Sequence, residues 1–574
     1  MAILVSCAQV TPPSQPDPPT DAPTALVYGM AASPIYEALK SRVRMTVSNG
    51  SQNATDFDLI ILDGDGFSGE QLSSDEFIRE AIHSNVWVLA LDAVEEDKNG
   101  LGKMLHASSQ GGVGAYLVRQ AENAEGHPGS RLIDFVNPDR RAEEVAQSVV
   151  GYITEQAMAP QQANIPPRAL TYQVHHTSDY SGLMPNVTSP SFGPPGQCEQ
   201  GVYWPCSIPQ TATWVVDHYI TVLLNAGNSP FGDSQFVVVE TAGRADPGRL
   251  ASNYTEYCYG YAYACEIAWF QTRFDASHTI AAGSTPSKTL ILEKTSPTTA
   301  NNVETVTTTS SLTVNFSEAP GVSGSYNYSK TDTKTIRDWE VNDVSNNAAQ
   351  WQYASNTVYD GMNTDSYDPG AWTYEYWPKP PNNLSLQDLE YNVKSSWNNN
   401  TVSADTVNIG GTDSSWYTDA FLASSNNYPG NDDINNCSDF SCHCMTAFCV
   451  SRAYMARHNN KQPWNIVVNL AAVIPVPTKS LTFSPNPAVA GQSVMGTLTL
   501  SAPTPIPAEV LVSSDKPGIS PEHDTYTIPA NEDTLTFNVV TGAEGCEPES
   551  ATIKTFYADG QNQSLTVNPP PNCK

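Results

Sequence analysis

Residues 303–335 read VETVTTTSSLTVNFSEAPGVSGSYNYSKTDTKT, and they alternate. The even positions Val306, Thr308, Ser310, Leu312, Val314 and Phe316 turn apolar along the run, while Thr307, Thr309, Ser311, Thr313 and Asn315 stay polar. That period of two predicts a strand with two different faces. Glu318-Ala319-Pro320-Gly321 predicts a turn, because Pro fixes φ and Gly permits reversal. On the return, Val322, Gly324, Tyr326 and Tyr328 share one face, and Ser323, Ser325, Asn327, Ser329 and Thr331 share the other. Pairing Phe316 with Val322 sets Val314 against Gly324 and Leu312 against Tyr326, so the apolar faces coincide. A hairpin of this kind suits a wall with lipid on one side and water on the other. Each arm supplies the roughly 9–11 residues that a membrane-spanning strand needs. One hairpin cannot insert alone, since its backbone edges would be unpaired in lipid, so several copies would have to close a barrel. The same pattern also suits an ordinary hairpin of a soluble sandwich.

Elsewhere the texture changes three times. In residues 25–157 the apolar runs Ala25–Tyr28, Leu59–Leu62 and Val86–Leu91 alternate with helical patterns at Pro34–Arg42, Asp75–Ser84 and Arg140–Gln156. Ser74 before Asp75-Glu76 reads as a helix N-terminus. Strands alternating with helices predict a parallel sheet, here a flavodoxin-like α/β accessory domain over 25–160. Ligands of such sheets sit at the C-terminal strand ends, where Asp63-Gly64-Asp65-Gly66 and Asp92 fall. Gln161–Pro167 is a linker by composition. Residues 168–476 are rich in Ser, Thr, Asn, Tyr and Trp, with alternating runs at Trp214–Leu223, Ser234–Thr241, Lys288–Glu293, Ala349–Tyr353 and Ile466–Val473, and predict an all-β domain. Residues 477–574 contain seven short runs separated by turns and predict an Ig-like β-sandwich.

Net charge is −32 over 574 residues, which argues against a nucleic-acid partner and against simple attraction to anionic lipid. Leu4-Val5-Ser6-Cys7 is similar to a lipobox and precedes a Pro-rich tether up to Thr24, so Cys7 is a lipidation candidate over segment 1–24. Without Cys7, ten of the eleven cysteines remain, in close groups that suit disulfides in an oxidising compartment. Cys198–Cys206, Cys258–Cys265 and Cys546–Cys573 are natural local pairs. Cys437, Cys442, Cys444 and Cys449 surround His443, and their spacing favours two disulfides over zinc. Asp63 and Asp65 are similar to the aspartate pair of haloacid-dehalogenase-type phosphatases, but Phe67 stands where a threonine is expected. His83, His106 and His127 read as surface or loop residues. No Ser/His/Asp or paired-carboxylate set declares itself, so neither catalysis nor a cofactor or metal is expected.

Ser287–Phe316 (SKTLILEKTSPTTANNVETVTTTSSLTVNF) followed by 321–353 (GVSGSYNYSKTDTKTIRDWEVNDVSNNAAQWQY) resembles the leukocidin/α-haemolysin family of β-barrel pore-forming toxins. The matched features are the Thr/Ser-rich hairpin, the IRDWEV strand at Ile336–Val341, an Asn-rich turn and a strand bearing Trp351. An aromatic loop follows, with Tyr367, Trp372, Tyr374, Tyr376 and Trp377. The resemblance covers about residues 200–475. It implies a leukocidin-like sandwich, a rim at that loop and a stem at 303–335. Aromatic rings favour the lipid–water interface, although the alternation at 372–376 also suits a packed core. The resemblance further implies a homo-oligomeric ring of about seven or eight protomers. Leu312, Val314, Phe316, Val322, Tyr326 and Tyr328 would then face lipid, and Thr309, Ser311, Thr313, Asn315, Ser323, Ser325 and Asn327 would line the lumen. The partners would be target-membrane lipid or a receptor, and the protein would be secreted, or anchored at the outer membrane or cell surface. The disulfide-rich segment 437–449 and the N-terminal α/β domain depart from the family pattern.

Two other functions fit parts of the chain. A non-lytic surface protein, a filament or adhesin built of β modules, accounts equally well for the tether and the Ig-like domain. An enzyme binding Mg²⁺ through Asp63 and Asp65 accounts for the N-terminal acids alone.

Overall fold

The computed structural model describes residues 18–29, 33–63, 66–111, 114–122, 128–135, 141–154, 171–181, 187–188, 207–208, 213–225, 232–246, 252–256, 263–280, 290–298, 306–316, 326–336, 339–355, 389–425, 451–542, 546–557 and 559–573. The chain divides into two units. One is Met1–Leu105 with Gly111–Gln120 and Leu132–Met158; the other is His106–Gln110 with Ala121–Arg131 and Ala159–Lys574.

In the first unit, strands β1 (Thr24–Tyr28), β2 (Arg44–Val47), β3 (Leu59–Asp63) and β4 (Trp87–Ala93) are parallel in the order β2-β1-β3-β4. Helices α1 (Pro34–Leu39), α2 (Gly69–Ser74), α3 (Glu76–His83), α4 (Glu95–Leu105) and α5 (Ala142–Thr154) accompany them. Leu59–Leu62 is fully buried, as an unbroken apolar run in a sheet covered on both sides requires. Ile35, Ala38 and Leu39 of α1 and Val145, Ala146 and Val149 of α5 join Leu59 and Ile61 in one core. Side chains set the helix starts. Ser33 accepts from the Tyr36 amide with Pro34 in the first turn, and Ser68 with Gln71 forms a reciprocal cap. The cap of α3 is Asp75, which accepts from the Ile78 amide, and the expected cap Ser74 instead ends α2. A turn of 3-10 helix at Ala54–Asp56 stands between β2 and β3 in place of a full helix. Next to β4, where a flavodoxin-like sheet adds a fifth parallel strand, the strand Gly114–Glu122 runs antiparallel.

Between these elements lie β5 (Ala107–Gln110), β6 (Gly114–Glu122) and β7 (Pro128–Phe135). The second unit continues with β8 (Thr171–Asp179), β9 (Val187–Thr188), β10 (Ser207–Ile208), β11 (Thr213–Asn225), β12 (Ser234–Asp246), β13 (Ser252–Glu256) and β14 (Tyr263–Ile280). Next come β15 (Leu290–Ser296), β16 (Val306–Phe316), β17 (Tyr326–Ile336), β18 (Trp339–Asp343), β19 (Ala349–Ser355), β20 (Leu389–Asn399), β21 (Thr406–Ser425) and β22 (Ser451–Asn469). One antiparallel sheet has the order β15-β20-β12-β11-β8. The other has the order β18-β19-β14-β21-β22-β5, with β13 beside β14. Tyr391 stacks on Phe274 across the two sheets at 3.5 Å, which places the core between them. Two expected strands differ in extent. Ile336–Val341 is divided between β17 and β18, and in Ile466–Val473 the strand stops at Asn469, whose side chain caps a 3-10 turn at Leu470–Val473.

The remaining strands are β23 (Thr478–Ser484), β24 (Ala488–Val489), β25 (Ser493–Leu500), β26 (Ala508–Ser514), β27 (Ile519–Pro521), β28 (Thr525–Ile528), β29 (Thr534–Thr541), β30 (Glu549–Phe556) and β31 (Gln561–Asn568). They form sheets β23-β25-β29-β27 and β24-β31-β30-β26-β28 around a shared apolar core. Strict alternation in β29, with Leu535, Phe537 and Val539 buried, is what a half-exposed sandwich strand needs. The Cys546–Cys573 disulfide ties the segment before β30 to the end of β31, with a Cα–Cα distance of 5.3 Å.

Candidate functional site: the hairpin and the sheet beside it

β16 and β17 pair with each other along eleven residues each. The register sets Phe316 against Tyr326, Val314 against Tyr328 and Leu312 against Lys330. This corrects the expected register, in which Phe316 met Val322, by four residues. The described pairing ends at Phe316 and Tyr326, and the expected turn at Glu318–Gly321 lies outside the described residues. The slip is even, so it leaves every residue on its own face. Leu312, Val314, Phe316, Tyr326 and Tyr328 still share one set of register positions. Thr309, Ser311, Thr313 and Asn315 oppose Thr333, Thr331, Ser329 and Asn327 on the other. Val322, Ser323 and Ser325 lie outside the described residues.

The register adds residues that the sequence reading had not tied to the apolar face. Lys330, Asp332 and Lys334 fall on it, opposite Leu312, Ser310 and Thr308. That face is therefore apolar at its Phe316–Tyr326 end, charged from Lys330 to Lys334, and apolar again at the Val306–Ile336 pair. The other face holds only neutral Thr, Ser and Asn from end to end.

The hairpin runs past β20. β16 lies alongside β15, β20 and β18, and β17 lies alongside β20. Every residue of β20 from Tyr391 to Trp397 is buried, on both of its faces. On the face away from the second sheet, Lys394 pairs in register with Glu240, and their charged atoms are 4.0 Å apart. Asn392 Nδ2 donates to Glu240 Oε1 at 2.5 Å. Farther along this face, on β8 and β11, exposure grows. His175 Nε2 lies 2.8 Å from Asp217 Oδ1, Thr177 donates to the same carboxylate, and Arg131 donates to Thr177 Oγ1 at 2.7 Å. Burial, and then the Arg131 charge, push His175 down to about 4 against the pull of Asp217. Burial works to raise Asp217, but its bonds to His175 and Thr177 and the charges of His175 and Arg131 hold it well below the usual carboxylate range. Thr295 Oγ1 of β15 donates to Asp343 Oδ2 of β18 at 2.7 Å, linking the edge strands of the two sheets beside the hairpin.

The opposite face of β20 meets the second sheet through a polar chain. Ser395 Oγ is 2.8 Å from His278 Nδ1, and His278 Nε2 is 2.8 Å from Thr241 Oγ1. Thr241 Oγ1 is in turn 2.9 Å from His218 Nδ1. His218 Nε2 lies 3.3 Å from Asp413 Oδ2, at ion-pair distance but off the line of a hydrogen bond. All five side chains are fully buried. Trp464 stacks on the His218 ring at 4.0 Å, and Trp351 meets His278 edge-on at 5.0 Å. Burial, and then the neighbouring His218, lower His278 well below the usual histidine range. Burial raises Asp413, opposed by His218 and His176.

The other expected site residues are placed unevenly. Asp63 ends β3 and Asp92 lies in β4 with a positive φ of 52°, both at C-terminal strand ends; Asp65 lies outside the described residues. His106, expected on a loop, contacts the Pro505 carbonyl at 3.1 Å and the Tyr172 ring. His127, Cys7, the rim residues Tyr367, Trp372, Tyr374, Tyr376 and Trp377, and Cys198, Cys206, Cys258, Cys437, Cys442, Cys444 and Cys449 lie outside the described residues. Cys265 falls in β14, where the backbone alone is described. No helix among the described residues is long and apolar enough to cross a membrane.

No protein-family profile matches the chain, and no curated protein matches it. Among solved structures, a pore-forming protein aligns at 10% identity and a TM-score of 0.27, over 52% of this chain and 92% of its own. Clostridium perfringens delta-toxin aligns at 10% identity and 0.27, over 50% and 89%. Clostridium perfringens NetB toxin in its membrane-inserted form aligns at 11% identity and 0.23, over 52% and 96%. At TM-scores below 0.5 a likeness does not fix a common fold.

Proposed function

We propose that the chain is a secreted or surface-anchored pore-forming protein whose β16–β17 hairpin is the membrane stem. The register carries this reading. Two strands of eleven residues pair so that one face is uniformly neutral and polar while the other is apolar toward the turn. A lumen lined by Thr, Ser and Asn and a lipid face bearing Leu312, Val314, Phe316, Tyr326 and Tyr328 follow from it. Of the charged positions on that face Lys334 suits the headgroup level, and Lys330 and Asp332 sit deeper, where the long stem of Lys330 can reach back toward water. In the monomer the hairpin keeps to the side of β15 and β20. Release of single hairpins into lipid would strand their backbone edges, so insertion goes with closure of a ring. In this reading no catalytic step takes part, the ring has about seven or eight copies, and the aromatic loop at 367–377 meets lipid or a receptor.

The test is dye release from liposomes by the purified full chain, with the same sample imaged by negative-stain microscopy. Leakage together with rings is the expected result. Discrete monomers or fibres without leakage, on liposomes made from several lipid classes including total extracts, would overturn the reading. They would favour a non-lytic surface protein built of β modules.

A further inference from the structure

We propose that the buried chain from Asp413 through His218, Thr241 and His278 to Ser395 is an acid sensor that loosens β20 and frees the hairpin beside it. This rests on the pore reading for its purpose, though its chemistry stands apart from it.

Counting protons shows why. Thr241 has one hydrogen and two imidazole neighbours, so it donates to one ring and accepts from the other. In the first arrangement, Ser395 donates to His278, His278 to Thr241 and Thr241 to His218, whose remaining N–H points toward an ionised Asp413. One added proton, taken by Asp413 and turned toward His218 Nε2, reverses the three hydrogen bonds from His218 to Ser395. His278 then donates to Ser395. Ser395 already accepts from Trp397 Nε1 at 3.0 Å, so its own hydrogen must turn away from His278. A proton gained at one end on β21 is thus read at the other end on β20. The closed chain has room for this one proton, which cancels the charge of Asp413 and leaves it neutral. A second would leave a net positive charge with no solvent access, which is costly.

An opened sandwich behaves differently. With water admitted, His278 takes a proton below about pH 6.5, and Asp413 stays ionised until about pH 4. Opening from the arrangement with ionised Asp413 therefore takes up one net proton. The equilibrium shifts toward the open state about tenfold for each pH unit below 6.5, or roughly thirtyfold at pH 5. Other titratable groups flank the layer. His176 stacks on His218 with ring centroids 5.6 Å apart. Tyr353 and Tyr391, both raised by burial, stay neutral throughout this range. On the far face of the same strands sit Glu240 and Lys394, a buried pair of opposite charge.

The experiment follows hydrogen exchange of the full chain at pH 7.5 and 5.5, corrected for intrinsic rates, with liposome leakage measured in parallel. Tenfold or greater loss of protection in β16, β17 and β20 at pH 5.5 is the expected result. His218→Gln and His278→Gln keep polar atoms but cannot be protonated, and each is expected to remove part of that response. If either fails to fold, the response of the wild-type chain still decides. Protection unchanged between the two pH values overturns the sensor, whatever the liposomes do. Acid-induced loss of protection with liposomes intact at both pH values supports the sensor and counts against the pore. Equal leakage at both pH values with flat protection does the reverse.

Discussion

Val314→Arg should abolish leakage while Thr313→Arg should not. Phe316 pairs with Tyr326, and their midpoint in sequence, taken as the tip of the proposed stem, is residue 321, seven residues from Val314. At about 3.3 Å per residue that is roughly 23 Å of strand, or about 16 Å along the bilayer normal at a tilt near 45°. A hydrocarbon core about 30 Å thick then has Val314 close to its midplane. Thr308 and Lys334, each thirteen residues from the tip, reach about 30 Å by the same estimate, the near headgroup level. Arginine on the lipid face at the midplane costs about 2–4 kcal/mol per strand, and a ring repeats that cost in every protomer. Thr313 sits at nearly the same depth on the neutral face, where a cation meets water and should alter ion preference instead. The assay is dye release at matched protein concentration, with urea unfolding of both variants to show that the soluble fold is unchanged. Wild-type leakage by Val314→Arg would refute the assignment of faces. Loss of leakage in Thr313→Arg alone would invert it.

Lys394→Met removes the cation beside buried Glu240 and should cost about 3–5 kcal/mol, whereas Lys394→Met with Glu240→Met should recover most of it, read from urea midpoints. Gly411→Ala should destabilise the β14–β21 pairing by about 1–3 kcal/mol, because a Cβ there would come within 1.7 Å of the Ser277 carbonyl oxygen; an unchanged midpoint would contradict that approach. Cys573→Ser should cost the C-terminal sandwich about 3–4 kcal/mol, the closure entropy of a loop spanning 27 residues, seen as earlier unfolding of Tyr557 fluorescence or of local exchange. His278, held below its ordinary pKa, leaves stability level above about pH 6.5. Below that the unfolded state binds more protons, so stability should fall by about 2 kcal/mol at pH 5, offset in part by Asp413, whose raised pKa acts in the opposite sense. A stability profile flat from pH 7.5 to 5 would contradict the balance.

The hairpin was legible because a period of two is written in adjacent residues. Its register was not, since the position of a turn depends on geometry that Pro320 and Gly321 suggest without fixing. The four-residue slip did no harm to the faces because it is even. Lys330, Asp332 and Lys334 continue the parity of Tyr326 and Tyr328, but as charged residues they carry no apolar signal that would extend that face beyond Tyr328. The buried histidines did leave a signal. His218 has the same parity as Trp214, Val216, Ile220 and Val222, and His176 the same as Tyr172 and Val174, so each sits on the buried face of its strand. Their convergence was not readable, because Asp413 and His218 come from strands far apart in the chain. The same holds for β5, whose partner β22 follows it by more than 300 residues: Asn465 Nδ2 donates to Gln110 Oε1 at 2.8 Å.

The chemistry of β20 connects the two halves of this reading. A strand held by apolar packing on both faces loses about 25 cal/mol for each Å² it exposes, and water returns none of it. β20 presents Lys394, Asn392 and Ser396 on one face and Ser395 on the other, all buried. A satisfied hydrogen bond contributes only about 0.5–1.5 kcal/mol net, since water can replace it. The strand beside the hairpin is thus held by contacts that are specific when closed yet replaceable when wet. Val393 and Trp397 still anchor it, so opening needs a push. Acid supplies one, because His278 takes up a proton in the opened layer that burial denies it in the closed one. Hydrophobic replacement of that layer, for instance His218→Leu with His278→Leu and Asp413→Leu, should then give a chain whose hairpin stays protected at pH 5.5.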